Sequence, residues 1–203
     1  MTIRINVTAS RMREIEETLG EMRHQAPIAV NRALNRAITN VASNLSKEVR
    51  KYYHVKASSV KETMTTTKSS PGTLAAEVRA SGKPLPLDRY KVSPKTVNPK
   101  RKGQLKIAVK KDGVKQIMGA FIVNLHGIKV FNRTGEFNYP SKGSYKGKGI
   151  KREMVDRLFG LSVPQMMDDA PIVDTVYEEA SDTFERRLQH EINNILSRAG
   201  GRS

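Results

Sequence analysis

Two stretches of this chain repeat apolar residues at a helical period, and together they fix most of what it can fold into. Val30, Leu34, Ile38, Val41, Leu45, Val49 and Tyr52 recur over 22 residues in six steps of about 3.7, the period of an amphipathic helix. Ala33, Ala37 and Ala42 flank that stripe and permit a close neighbour. Pro27 suits a first helical turn, where its missing N–H has no partner to lose. The spacing predicts a helix over 27–53. Towards the other end, Val173, Tyr177, Ala180, Phe184, Leu188, Ile192 and Ile195 again span 22 residues in six steps. They predict a second long helix, closed by Gly200-Gly201.

The segments between and before these helices read mostly as strands. Ile3, Ile5 and Val7 alternate with polar residues, as in a short strand. Ser10 stands before RMREIEETLGEMRH, whose early acids and late bases suit a helix dipole. KASSVKETM predicts a short helix capped by Ser58 or Ser59. Residues 65–68 are β-prone, Pro71-Gly72 marks a turn, and Leu74, Ala76, Val78 and Ala80 alternate as a half-buried strand. Pro84, Pro86, Pro94 and Pro99 exclude a regular helix and predict an extended loop. Leu105, Ile107 and Val109 then point one way, Gln104, Lys106 and Lys110 the other, before a turn at Asp112-Gly113.

GAFIVNLHGIKVFNRTG reads as a hairpin. Ile117, Phe121, Val123 and Leu125 share one face, with Ile122 on the other. Ile128 and Val130 alternate with Lys129, Phe131 and Arg133, and His126-Gly127 makes the turn. Residues 136–151 have glycines at 143, 147 and 149 and no apolar period, which predicts a flexible basic loop. REMVDRLFG predicts a short helix ending near Gly160, with Ser162 and Pro164 opening another turn. The order helix, β-rich middle, helix gives an α+β class: an antiparallel sheet packed by two long amphipathic helices, as one domain over 1–203.

Charge is the second constraint. The formal net charge is +16, and residues 83–152 hold 18 of the 36 lysines and arginines against three acids, while residues 153–203 hold five against ten. So uneven a balance favours contact between the middle and a polyanion, or between the middle and an acidic surface, including the acidic segment of a neighbouring copy. With no cysteine, disulfides, thiolate zinc sites and cysteine nucleophiles are excluded. MTIRINVTAS has no apolar run of the signal-peptide kind, and no segment approaches the roughly 18 apolar residues of a membrane span, so a soluble protein is expected.

Residues for chemistry are sparse. His24, His54, His126 and His190 are scattered, without metal-ligand spacing. Asp168-Asp169 precede a predicted helix, where carboxylates cap more often than they bind metal. GSYKGKG lacks the spacing of a phosphate loop. Met154, Met166 and Met167 suit core or interface filling. No cofactor, metal or catalytic centre is expected. The signal that remains is basic. Lys100, Arg101 and Lys102 lead into a strand bearing Lys106 and Lys110, followed by Lys111. Lys142, Lys146, Lys148, Lys151 and Arg152 form a second cluster among Phe137, Tyr139 and Tyr145. Such side chains bind phosphates without reading sequence, with strong salt dependence. They equally suit a solvated face or an acidic neighbour, and the two tyrosines suit base stacking or loop anchoring.

Two segments together resemble the prophage minor tail protein Z family of long-tailed bacteriophages: GAFI with GIKVFNRTG, and REMVDRLFGLSVPQM behind it. APIAVNRALNRAI and VRKYYHVKASSVKE fit the family's amphipathic helix and its basic follow-on, so the likeness runs from about Ala26 to Ile195. Against the family pattern the hairpin turn is short, and FNYPSKGSYKGKGIK looks like an insertion. The resemblance implies a structural virion protein, assembled in the host bacterial cytoplasm, that completes the tail and joins it to the head. It implies a homo-oligomeric ring or cap and no membrane. Its implied partners are the tail tube or terminator and the head connector; contact with genomic DNA is an expectation that rests on the basic residues themselves. A free nucleic-acid-binding protein is the alternative, and a nuclease has no carboxylate cluster to support it.

Overall fold

The computed structural model describes residues 1–98 and 100–200, so the readings placed on Pro99 and Gly201 lie outside the described residues. About 44% of the chain is helical and 26% is in strands, and every strand pair is antiparallel, which makes the class α+β. Among the described residues the strands form three separate three-stranded sheets. The chain packs as two compact units. The first is Met1–Arg50, Ala57–Gly82 and Val163–Ser203; the second is Lys51–Lys56 and Lys83–Ser162.

The first unit contains strand β1 (Thr2–Asn6), helix α1 (Ala9–Leu19), a 3-10 helix (Gly20–Gln25) and helix α2 (Ala26–Tyr52), whose last two residues belong to the second unit. After it come α3 (Ala57–Lys61), β2 (Met64–Thr67), β3 (Ala75–Ala80), α4 (Val163–Met167) and α5 (Ala170–Gly200). Strand β3 lies between β1 and β2, with Ile3 opposite Val78 and Ile5 opposite Ala76. Val30, Leu34, Ile38, Val41, Leu45 and Val49 are all buried, as are Ala26, Ala29, Ala33 and Ala37. A fully buried Leu, Ile or Val contributes about 1.5–3 kcal/mol of burial free energy, so this face of α2 is the spine of the unit's core. Tyr52 is instead exposed, and Tyr53 takes the buried place.

Several local expectations are corrected. Helix α1 starts before Ser10, at Ala9, with Thr8 as its N-cap, whose hydroxyl accepts from Arg11 N. Ser58 and Ser59 lie inside α3 rather than capping it. On α5 the buried stripe begins at Ile172 and Val176, not Val173 and Tyr177, and continues through Ala180, Phe184, Leu188, Ile192 and Ile195. Polar side chains tie the helices together. Arg11 of α1 binds Glu185 at 2.7 Å, Arg32 of α2 binds Glu191 at 3.2 Å, and Asn44 of α2 donates to Glu179.

The second unit contains a 3-10 helix (Leu87–Arg89), β4 (Lys91–Ser93), β5 (Leu105–Ala108), β6 (Lys115–Ile117), β7 (Ala120–Asn124), β8 (Ile128–Asn138) and β9 (Arg152–Arg157). In one sheet β5 lies between β4 and β6; in the other β8 lies between β7 and β9. The proline-rich stretch is therefore not all loop, since it carries the 3-10 helix and β4. Ile117 belongs to β6, separated from β7 by a turn. On β7 the buried residues are Ala120 and Ile122, while Phe121 and Val123 are half-buried and Leu125 is exposed. Phe121 instead stacks on Phe131 across the β7–β8 pair, centroids 6.1 Å apart. The hairpin turn does fall at His126-Gly127, both at positive φ (51° and 110°), a conformation in which glycine costs least.

The largest correction concerns REMVDRLFG, which is strand and not helix. Residues 152–157 are β9, and the following residues stay extended: Leu87 N donates to Leu158 O, Gly160 N to Leu85 O, and Leu85 N to Leu161 O. The packing there is close. A Cβ on Gly160 would stand 2.9 Å from Tyr90 Cε2, and the Tyr90 hydroxyl donates to Leu161 O at 2.6 Å. The basic loop is also shorter than expected, because Glu136, Phe137 and Asn138 belong to β8.

Candidate functional site

Sorting the charges by unit changes the picture that the linear sequence gives. The first unit holds 15 lysines and arginines and 15 acids. The second holds 21 against five, so the whole formal excess of +16 falls on it. A body with that imbalance carries a positive potential over much of its surface, and it repels itself unless a polyanion or an acidic neighbour is near.

The expected site residues separate into two groups on different elements. In the first, Lys100 and Lys102 are exposed in the loop before β5, and Lys106 is exposed on β5, opposite Ser93 of β4 and Gln116 of β6. Lys110 and Lys111 follow at the strand's end, where residues 52–54 are tied on by backbone bonds: His54 N donates to Val109 O and Lys111 N to Tyr52 O. Lys110 Nζ lies 5.4 Å from the centroid of the Tyr53 ring. Burial, reinforced by Lys91 and Lys111, holds the His54 pKa below its ordinary value. Arg101 differs from its neighbours. It is half-buried and spends its guanidinium on backbone, Nε donating to Gly103 O at 2.8 Å and Nη2 to Ala120 O at 2.9 Å. It fastens the loop to β7 and has little left for a ligand.

In the second group, Lys142, Lys146, Lys148, Lys151 and Arg152 are all exposed in the loop and at the start of β9. Tyrosines organise three of them. Arg152 and Lys148 stand over the Tyr145 ring at 4.3 and 5.6 Å, and Lys151 stands over Tyr139 at 5.4 Å. Each such contact is worth about 0.5–1 kcal/mol at an exposed site. These aromatics therefore hold the chain's own cations.

Three further groupings escaped the sequence reading. Asp88, nearly buried, receives Arg157 Nη2 at 3.0 Å and faces Lys129 Nζ at 3.5 Å. Arg133 lies over Phe121 at 5.2 Å and binds Glu153 at 2.6 Å. A groove of about 550 Å³ is lined mainly by Leu87, Ile107, Val109, Ile117, Phe159 and Leu161. An acid isolated among prolines gives no spacing by which such a network could be recognised. Among the described residues no three His, Cys, Asp or Glu side chains are placed to hold a metal ion. Asp168 and Asp169 do precede α5, and the Asp169 carbonyl accepts from Ile172 N and Val173 N. Met166 and Met167 are fully buried, whereas Met154 is exposed. No described helix is long and apolar enough to cross a membrane.

Fold and surface together define a class: an α+β module whose distinctive feature is a charged, partly aromatic surface on a β-rich unit, joined to a neutral helical unit. The particular family follows from comparison with family models. That of prophage minor tail protein Z (GPZ) matches residues 13–199, and the chain belongs to that family. The likeness read from GIKVFNRTG and REMVDRLFGLSVPQM thus holds, although the second segment is a strand followed by a short helix. A structural role in a bacteriophage tail, and a place in the virion among other tail proteins, follow from the family. No curated protein and no solved structure matches the chain.

Proposed function

We propose that this chain is a tail completion subunit. As a ring or cap it closes the head-proximal end of the tail, where the DNA-filled head joins. It acts by assembly rather than turnover, as one tail-completion-like domain built of the two units. Its partners are the tail tube or terminator protein on one side and the head connector on the other, and it assembles in the host cytoplasm. The observation that carries the reading is the charge partition: a neutral helical unit suited to packing, and a β-rich unit holding the entire excess of +16. The first lysine group, Lys100, Lys102, Lys106, Lys110 and Lys111, faces the DNA path. Multiplied around a ring, such a face screens phosphates without reading bases.

Deleting the chain from a phage that encodes it tests the role. The expected result is finished heads and finished tails that stay apart and are joined when purified protein is added. Joined particles in its absence overturn the reading. Salt titration separates the rival class of a free nucleic-acid binder. A lone subunit engaging four or five phosphates gives a log–log slope of about −4. Tight binding of that kind at physiological salt favours the free binder, and weak binding that strengthens only in the assembled form favours the ring.

A further inference from the structure

Strand β7 pairs with β8 only as far as Asn132. Beyond that point β8 and β9 continue alone as a two-stranded ribbon, with Arg133 opposite Val155, Phe137 opposite Glu153 and Asn138 opposite Arg152, and with a register shift between Arg133 and Phe137. Residues 133–138 are exposed without exception, and so are 141–152 in the loop that joins the strands. A two-stranded ribbon with no layer behind it is marginal in water. This one also exposes Phe137 (62%), Tyr139 (59%), Ile150 (47%), Val155 (44%) and Met154 (43%). Exposed apolar groups gathered on one projecting element mark an interaction surface. Aromatic and methionine side chains beside arginine have the composition of a protein–protein contact.

The complementary face lies on the same chain. Helix α5 carries two sets of acids. Glu179, Glu185 and Glu191 are taken up inside the first unit by Asn44, Arg11 and Arg32. Asp174, Glu178 and Asp182 follow one another at four-residue spacing, are all exposed, and have no ion pair among the described residues. Like charges at that spacing oppose helix formation, and a cationic partner would relieve them. The stripe is about 12 Å long, and Tyr177, 45% exposed, stands beside it. A duplex backbone would offer nothing to Phe137 or Met154, so the ribbon's apolar content favours protein over DNA.

We propose that the β8–β9 ribbon and its loop dock on a second copy of this chain, laying Lys148, Lys151 and Arg152 against Asp174, Glu178 and Asp182 of the neighbour's α5. The contact is heterologous, ribbon to helix, so each copy keeps one ribbon and one helix face open for the next. Closure by rotation gives a ring. The inference deepens the ring assembly proposed above and rests on it for closure, but the contact itself is tested separately.

The whole chain of 203 residues is used, and its absence of cysteine makes a second readout clean. One variant carries Lys148→Glu and Lys151→Glu, the other Glu178→Lys and Asp182→Lys. By light scattering across a concentration series, wild type self-associates. Each variant alone associates at least about tenfold more weakly, because like charges then face each other. An equimolar mixture recovers association, since each ribbon meets an opposite helix face. Mixed Lys148→Cys and Glu178→Cys proteins form a disulfide-linked heterodimer on mild oxidation. A wild type that stays monomeric, variants that associate as wild type does, or a mixture no better than its parts overturns the contact. If association survives the charge exchange unchanged, the docking is wrong while a ring remains. If the ribbon variant loses DNA binding and keeps its association, the ribbon faces DNA.

Discussion

Replacing Asp88 by asparagine keeps the shape of the side chain and removes the charge that holds three parts of the second unit together. Asp88 sits on the 3-10 helix with its side chain 6% exposed, and it receives Arg157 of β9 through both oxygens, at 3.0 and 3.3 Å. Lys129 of β8 adds its ammonium at 3.5 Å. Removing one partner of a buried pair costs about 3–5 kcal/mol, because the other charge is left uncompensated. Arg157 and Lys129 are here 33% and 28% exposed, so water recovers part of that loss. The expected cost is about 2–3 kcal/mol. With a urea slope of about 2 kcal/mol per molar, the midpoint falls by roughly 1 M. Tyrosine fluorescence follows the second unit well, since it contains Tyr52, Tyr53, Tyr90, Tyr139 and Tyr145. Asp112→Asn, on an exposed turn, serves as control and shifts stability by no more than about 0.5 kcal/mol. A double-mutant cycle of Asp88→Asn with Arg157→Gln gives a coupling above about 1 kcal/mol. A loss below about 0.5 kcal/mol, or additive single effects, refutes the assignment of Asp88 as the counter-charge.

Three other changes test separate parts of the structure. Gly160→Ala puts a methyl 2.9 Å from Tyr90 Cε2 and 3.2 Å from Leu87 Cδ2, and costs about 1–3 kcal/mol of stability in thermal unfolding; an unchanged midpoint would show that the contact is loose. Leu34→Ala in the fully buried stripe of α2 costs about 2–5 kcal/mol, whereas Leu196→Ala at a 40% exposed site on α5 changes little. Protonation of His54 opposes folding, because burial and then Lys91 and Lys111 lower its folded pKa, so the unfolded chain takes the proton first. Stability is therefore intact above the ordinary value of 6.5 and declines as pH falls towards the lowered folded value. His54→Gln flattens that slope, and a slope unaffected by the substitution contradicts the placement.

The long helices were legible because a buried face on a helix leaves a period, and six of the seven positions read on α2 are buried. The start of α5 was not. Ile172, Val173, Val176 and Tyr177 offer two apolar registers one residue apart, and only packing chooses Ile172 and Val176. Strand β9 was misread for the opposite reason. Much of it lies on a ribbon with no core face, so Met154 and Val155 are both exposed and no alternation of two can appear. The hairpin turn could be read at His126-Gly127, but the face of β7 could not, because Phe121 is covered by Phe131 and Arg133 on the side away from Ile122. The basic middle was plain from composition. The neutrality of the remainder was hidden because the basic segments 1–50 and 57–82 and the acidic segment 163–203, far apart in the chain, fold into one unit.

The most direct measurement is electron cryomicroscopy of the head–tail junction in intact particles of a phage that carries this chain. The account predicts a ring of copies at the head-proximal end of the tail, with the β-rich units and Lys100, Lys102 and Lys106 turned towards the DNA path. Copies lying elsewhere in the tail, or a ring whose basic units face outward while the neutral helices line the channel, would contradict it.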